Sequence, residues 1–363
     1  MSAAKPPIVV GPEIIRARLA AQLLTGEPAG SVEYAAGRIL AVQAQDPRGA
    51  RLAVRVRTCG LTARDVDRAL SEERSIVISW LNRGTLHLVR REDYGWLHAL
   101  TTPQLLTGNA RRLEQEGVSP RAADRGVAVI ERALADDGPL TRAVLRDRVA
   151  AAGVRTEGQA LVHMLVLATL RGLIVRGPVA GKDQAFVLTR DWLGVTGPVD
   201  RDAALAELAR RYLAGHGPAV DRDLAKWAGV RLNDARAGLR AIAGELTERP
   251  DGLVDLSGRA APAELPEPRL LGPFDPLPLG WRSREQVLGS HQGVVTVNGI
   301  FRPIALVRGR AVATWRMPAG EVVIEPFECI APAAGAALDA DARDVLRFLG
   351  GVPESRDAQT QHR

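Results

Sequence analysis

Three stretches in which helical periodicity gives way to a pair of β-rich runs, followed by a region of short strands joined by tight turns, predict an α+β fold. The architecture expected is three tandem winged-helix motifs followed by a small C-terminal β-barrel. Residues 12–120, 121–195 and 196–262 would form the three units. Residues 263–349 would hold a linker and the barrel, and 350–363 a disordered tail.

The first unit opens with Ile14, Ile15, Leu19 and Leu23 at helical spacing. Ser31 is the expected N-cap of a helix carrying Gly37 to Val42. That helix should end at Gln45 or Asp46, because a residue before proline leaves the α region and Pro47 follows. Thr62 should cap a short helix ending near Leu70. The runs Ser75–Ser79 and Thr85–Val89 flank Asn82-Arg83-Gly84, a turn signal. A helix from Asp93 to Leu100 completes the unit, with Trp96 in the core.

The second unit repeats the outline. Val127, Ile130 and Leu134 mark one helix, and Gly138-Pro139-Leu140-Thr141 breaks the chain and caps the next. Thr156 and Gln159 form a capping-box pattern ahead of Ala160–Arg171. The wing runs through Gly172–Pro178 and Ala185–Leu188, with Lys182 at its tip. In the third unit Gly217-Pro218 repeats the earlier break, Asp223–Ala228 and Asn233–Ile242 are helices, and Glu245–Leu256 is the wing. The match between Gly-Pro-Leu-Thr-Arg and Gly-Pro-Ala-Val-Asp-Arg supports an internal repeat. Six prolines within 262–280 suggest a rigid connector. Beyond it, Asn298-Gly299 signals a hairpin between Val294–Val297 and Ile300–Val307. Arg308-Gly309 and Met317–Gly320 mark further turns.

At 363 residues with 46% hydrophobic and 25% charged residues, the composition is that of an ordinary globular protein. No apolar run reaches transmembrane length, and the first residues lack the apolar core of a secretion signal; a cytoplasmic location is expected, and the chain is expected to act as a monomer. Cys59 and Cys329 stand far apart without metal-ligand spacing, and the six histidines are scattered. Neither a disulfide framework nor a metal or other cofactor is implied. The net charge is +6, and lysine occurs only at positions 5, 182 and 226, the remaining basic residues being arginine. Arginine suits phosphate and guanine edges, although a genome-wide arginine bias would give the same count.

Winged helices commonly bind DNA as regulators. The third helix of the second unit, Ala160–Arg171, is apolar almost all round, however, and offers base edges only His163 and Arg171. It reads as scaffold, with His163 structural.

The stretch Gln43-Ala44-Gln45, the segment Trp80-Leu-Asn-Arg83-Gly84-Thr85-Leu86-His87-Leu88-Val89 and the loop Gly272-Pro-Phe-Asp275-Pro-Leu-Pro-Leu-Gly280 occur in that order. Together with the β region around Asn298-Gly299, they resemble the AlkZ-like family of bacterial DNA glycosylases, over roughly Ile14 to Glu328. The resemblance implies three winged helices plus a β-barrel, and a Gln–aliphatic–Gln motif that carries base excision. That motif maps onto Gln43 and Gln45, whereas the related YcaQ-type branch has an acid at the second position. The implied partner is double-stranded DNA carrying alkylated purines, with bulky adducts or crosslinks formed by genotoxic natural products as substrates.

Glutamine does not titrate near neutral pH. A guanine alkylated at N7 (or an adenine at N3) is already cationic and leaves without protonation, so the enzyme need only orient a water towards C1′. An amide oxygen can accept that water's hydrogen bond, and its dipole favours the developing positive sugar. Gln43 and Gln45 are therefore the expected catalytic pair. The rival is Asp46, an ionised neighbour and a stronger base, although an Asp-Pro helix boundary is commonly structural. No lysine lies near the motif in sequence, which argues against a Schiff-base lyase. Arg48, Arg51 and Arg83 are candidate phosphate contacts. By the same resemblance, Thr85 and His87 would border the lesion, and the β-hairpin of the barrel would enter the minor groove, making His291 and Gln292 further candidates. A bulky adduct need not be flipped into a pocket.

Overall fold

The computed structural model describes residues 11–181, 183–195, 197–259 and 264–350, without the side chain of Gln292. The tail expected to be disordered, Lys5 and the wing-tip Lys182 lie outside the described residues.

The N-terminal part contains α1 (Pro12–Ala21), α2 (Val32–Ile39), the two-residue strand β1 (Val42–Gln43), α3 (Pro47–Arg55) and α4 (Ala63–Ser71). The hairpin β2 (Ile76–Leu81) and β3 (Thr85–Arg90) follows, then α5 (Arg91–Thr101). Ser31 caps α2 by accepting from the Tyr34 N–H at 3.0 Å, and Thr62 with Asp65 forms a capping box on α4. The middle part comprises α6 (Leu106–Gln115), α7 (Pro120–Asp137), α8 (Arg142–Ala151), α9 (Ala160–Leu170), the hairpin β4 (Ile174–Ala180) and β5 (Asp183–Leu188), and α10 (Thr189–Leu193). The capping box expected from Thr156 does not cap α9. Instead the Gln159 N–H donates to Glu116 of the neighbouring chain segment at 3.0 Å.

The next part is α11 (Arg201–His216), α12 (Asp221–Ala228), α13 (Leu232–Ala241) and a short hairpin of β6 (Leu246–Glu248) and β7 (Val254–Leu256). The C-terminal region holds β8 (Arg269–Leu271), α14 (Glu285–Leu288), β9 (Ile304–Val307), β10 (Arg310–Arg316), β11 (Val323–Pro326) and α15 (Pro332–Leu349). Among the described residues no helix is long and apolar enough to cross a membrane.

The first two hairpins are not separate. They join into one five-stranded sheet in the order β1-β3-β2-β4-β5, with Ile78 of β2 opposite Arg176 of β4. Trp80 on β2 accordingly packs into the middle unit's core, stacked on Phe186 with centroids 6.3 Å apart. α9 is buried along Leu161, Met164, Leu165 and Ala168, and His163 turns aside to Asn109 at 3.2 Å. The expected scaffold role follows from that burial.

The C-terminal strands form an open four-stranded antiparallel sheet, β11-β10-β9-β8, rather than a closed barrel among the described residues. β8 and β11 remain its edges, and α15 packs against β8. The Asn298-Gly299 turn forms, but its flanks pair only through the isolated bridge Val295–Phe301, and β9 begins at Ile304. Nor is the proline-rich stretch a mere connector. Leu270, Leu271, Asp275 and Leu277 are all fully buried, so its second half is core.

Candidate active site

The chain around the two glutamines differs from expectation. α2 stops at Ile39, and Leu40, fully buried, turns the chain with φ 69°. Val42 and Gln43 then pair with Leu88 and His87 of β3, and the Ala44 N–H donates to Leu86 O at 2.7 Å. Asp46-Pro47 begins a helix instead of ending one. Pro47 takes the first helical position, where its missing N–H costs nothing, and Asp46 Oδ1 accepts from the Gly49 N–H at 2.7 Å as N-cap of α3.

Both glutamine side chains nevertheless meet the same β2–β3 hairpin. Both amide oxygens are held by donors from one short segment: Gln43 Oε1 accepts from Arg83 Nη2 at 3.4 Å, and Gln45 Oε1 accepts from the Leu86 N–H at 3.3 Å. Each amide keeps one acceptor lone pair and two N–H donors for other use. Gln43 is buried at 8% exposure, while Gln45 lies open to solvent.

Arg83 sits at φ 34° in the turn between β2 and β3. Besides Gln43 it donates to the Trp227 carbonyl of α12, so it spans two parts of the chain and has little freedom left to grip a phosphate by itself. His87, opposite Gln43, is 2% exposed and stands behind the site. Its Nδ1 lies 2.9 Å from Thr85 O, a carbonyl that can only accept. The proton is therefore on Nδ1, and Nε2 carries the lone pair. Burial, then the Arg83 charge, pushes the His87 pKa down to about 3, so the ring is neutral at working pH. Thr85 Oγ1 is buried without a partner.

Among the other arginines singled out, Arg51 is paired with Asp67, its Nε donating at 2.9 Å, and also donates to Pro47 O at 2.7 Å. Arg48 is exposed on the first turn of α3 and makes no ion pair among the described residues. His291 stacks on Phe327 with centroids 4.1 Å apart, and the Gln292 side chain lies outside the described residues. The apolar residues Val297 and Ile300 beside the Asn298-Gly299 turn are exposed.

The Gly272–Gly280 loop positions the site from below. Asp275 is buried and receives both arms of Arg57, each at 2.9 Å, while Arg57 also donates to Ala53 O and Gln22. A Cβ on Gly49 would lie 2.3 Å from Pro273 O, so only glycine lets the loop seat against α3 immediately after the glutamines. Phe274 packs on Phe301, 5.9 Å between centroids, which ties the loop to the Asn298-Gly299 turn.

Sequence reading missed a set of cations. Lys226, Arg282 and Arg284 are far from the motif in the chain, yet Lys226 and Arg284 lie close enough to Arg83 to act on it or feel it electrostatically. Lys226, far from the motif in sequence, immediately precedes Trp227, whose carbonyl is bound by the same Arg83 that reaches Gln43. A signal was present: Lys226 is one of only three lysines, and Arg282 and Arg284 follow directly on the Gly-Pro-Phe-Asp-Pro loop. Among the described residues no group of three or more His, Cys, Asp or Glu side chains could hold a metal ion.

The chain matches the family model "DNA glycosylase AlkZ-like" over residues 36–348. It is 28% identical to an interstrand DNA cross-link repair glycosylase of Streptomyces sahachiroi, covering 92% of this chain and 95% of that protein. The solved structure of Streptomyces sahachiroi DNA glycosylase AlkZ superposes with a TM-score of 0.77 at 26% identity, covering 94% of this chain and 98% of that one. Two glutamines held against a hairpin, followed by a helix against which an Arg57–Asp275-clamped loop packs, thus lie in a mixed helix-and-sheet chain that belongs to the AlkZ-like DNA glycosylase family.

Proposed function

We propose that this DNA glycosylase hydrolyses the N-glycosidic bond of bulky N7-alkylguanine or N3-alkyladenine adducts, leaving an abasic site, with Gln43 and Gln45 steering the attacking water. The observation that carries this reading is the fixing of both amide oxygens by Arg83 and Leu86. A preset carbonyl needs no reorganisation as positive charge develops on the sugar. The cationic purine is its own leaving group, so neither an acid nor a titrating base is required.

The three helical units with their hairpins act in this reading as winged-helix modules along duplex DNA. The exposed Val297 and Ile300 suit entry into a minor groove as an apolar wedge. Gln45 lies open, which favours a lesion too bulky for a closed pocket. The resemblance to a cross-link repair glycosylase extends the proposal to unhooking interstrand crosslinks, in self-resistance or in alkylation repair.

The test is incubation of a duplex bearing one N7-alkylguanine, with heat or alkali then revealing abasic sites. Wild type should release the modified base and cut the strand only after heating. Gln45→Ala should lower the single-turnover rate by 10²-fold or more, on the order expected for a lost electrostatic donor or acceptor at a reacting centre. Normal turnover by the Gln43→Ala/Gln45→Ala enzyme defeats the assignment.

A further inference from the structure

We propose that Lys226, Arg282 and Arg284 form a phosphodiester clamp that holds the lesion-bearing strand over Gln43. The proposal rests on the glutamine site just described and adds its strand-positioning residues.

The three side chains come from two places distant in the chain, α12 and the segment after the Gly272–Gly280 loop; α12 packs on the β2–β3 turn, and the Arg282 backbone N–H ties that segment to Asp223 of α12. The link to the reacting centre is direct. Lys226 precedes Trp227, whose carbonyl takes one arm of Arg83, and the other arm of Arg83 reaches Gln43. Arg284 lies over the Phe301 ring, 4.8 Å from its centroid, which sets its direction, and its Nε is buried without a partner.

The electrostatics point to an absent anion. Several buried or half-buried arginines have carboxylate partners (Arg55 with Asp341, Arg57 with Asp275, Arg90 and Arg211 with Asp93), while Arg18 and Arg176, each standing alone, are met by a carbonyl and an aromatic ring. Among the described residues Arg83, Lys226, Arg282 and Arg284 have no carboxylate partner. Asp223, the acid that acts on Lys226, is buried, with one oxygen accepting from the Arg282 backbone N–H at 3.0 Å and the other from the Val220 N–H at 3.3 Å. Partial burial and the charges of Arg284, Arg282 and Arg83 lower the Lys226 pKa, so the four cations repel one another in the free protein. Like charges gathered at an open site cost stability unless an anion relieves them. A phosphate flanking the lesion is the anion that a duplex brings to this place, and Arg and Lys contacts to phosphate set register without reading sequence.

The test uses Lys226→Ala/Arg282→Ala, both side chains being exposed, so that folding is not at stake. Binding to a duplex with a tetrahydrofuran abasic analogue is measured against salt, and methylphosphonate linkages are scanned one at a time around the analogue. Wild type should lose affinity at one or two linkages. The double variant should bind about tenfold more weakly, with a salt slope shallower by about 1, and should ignore methylphosphonate at those linkages. Its melting temperature should not fall, since removing mutually repelling charges relieves strain, whereas a structural role would lower it. An unchanged salt slope and methylphosphonate profile would overturn the clamp. So would a borohydride-trapped covalent complex through Lys226, which would make that residue a nucleophile instead. The Gln43→Ala/Gln45→Ala enzyme should keep the wild-type methylphosphonate profile. If it also keeps full turnover, the water-steering assignment falls while the clamp stands.

Discussion

Arg83 makes two contacts that one guanidinium can span and one ammonium cannot: the Trp227 carbonyl on α12 and Gln43 Oε1. Its replacement therefore separates geometry from charge. Arg83→Lys should keep most DNA affinity, yet lower the single-turnover rate about tenfold, because the Gln43 amide loses the donor that fixes its direction. Arg83→Ala should do the same and also cost about 1–3 kcal/mol of stability, since the Trp227 carbonyl loses its side-chain partner. Single-turnover kinetics and denaturant unfolding measure the two effects. Asp46 gives the complementary case. Asn caps a helix as well as Asp does, so Asp46→Asn should leave both stability and rate near wild type, while Asp46→Ala should lose about 1 kcal/mol through the Gly49 cap. A rate collapse in Asp46→Asn at unchanged stability would instead make the carboxylate the base. The residues of the motif were legible in the sequence, but their backbone was not. Asp-Pro is compatible with a helix ending before it and with a helix starting at it, and a γ-turn centred on a leucine, as at Leu40, has no sequence signature.

At the scale of elements, the sequence signalled most helices and hairpins, since their caps and turns are local chemistry: Ser31, Thr62 and the Asn82–Gly84 turn are examples. What it did not signal was pairing between elements. The joining of β2 to β4 depends on contacts some hundred residues apart, and the open C-terminal sheet on which edges α15 packs against. The Gly272–Gly280 loop shows the same limit. Its prolines read as a spacer, whereas its work is done by Asp275, which closes a buried ion pair with Arg57 of the segment following α3. Asp275→Asn should cost about 3–5 kcal/mol, because it leaves the Arg57 charge buried without its counter-charge. It should lower activity only as far as it unfolds the protein or displaces α3. Chemical denaturation beside single-turnover rates on the folded fraction distinguishes those routes. Gly49→Ala tests the same seat from the other side: the added Cβ meets Pro273 backbone, which has no flexible end to move, so a loss of about 1–3 kcal/mol is expected.

At the scale of the whole molecule, the uncharged imidazoles link the fold to pH. His216, stacked on Tyr212 at 5.0 Å and tilted against Trp227 at 4.9 Å, is fully buried, and burial pushes its pKa down to about 3, as it does that of His87. Burial also lowers His98 and His163. In the unfolded chain these rings bind a proton near pH 6.5. Between that pH and about 3 the unfolded state holds protons that the native state refuses. Stability is therefore fully present above about 6.5, and is lost as the pH falls towards 3. At pH 5 each of His87 and His216 should cost about 2 kcal/mol relative to pH 7.5. Carboxylates are still largely ionised there, so the loss belongs mainly to the histidines. His216→Phe keeps the aromatic stack and removes the titration. Its unfolding free energy between pH 7.5 and 5 should fall by about 2 kcal/mol less than that of wild type. His216 is remote from the glutamines in the chain and backs the α11–α12 packing that carries Lys226, so the variant should keep the rate of base release at pH 7.5. Equal acid sensitivity in the two proteins would mean that His216 is protonated in the folded state after all, and that its buried stack admits a charge.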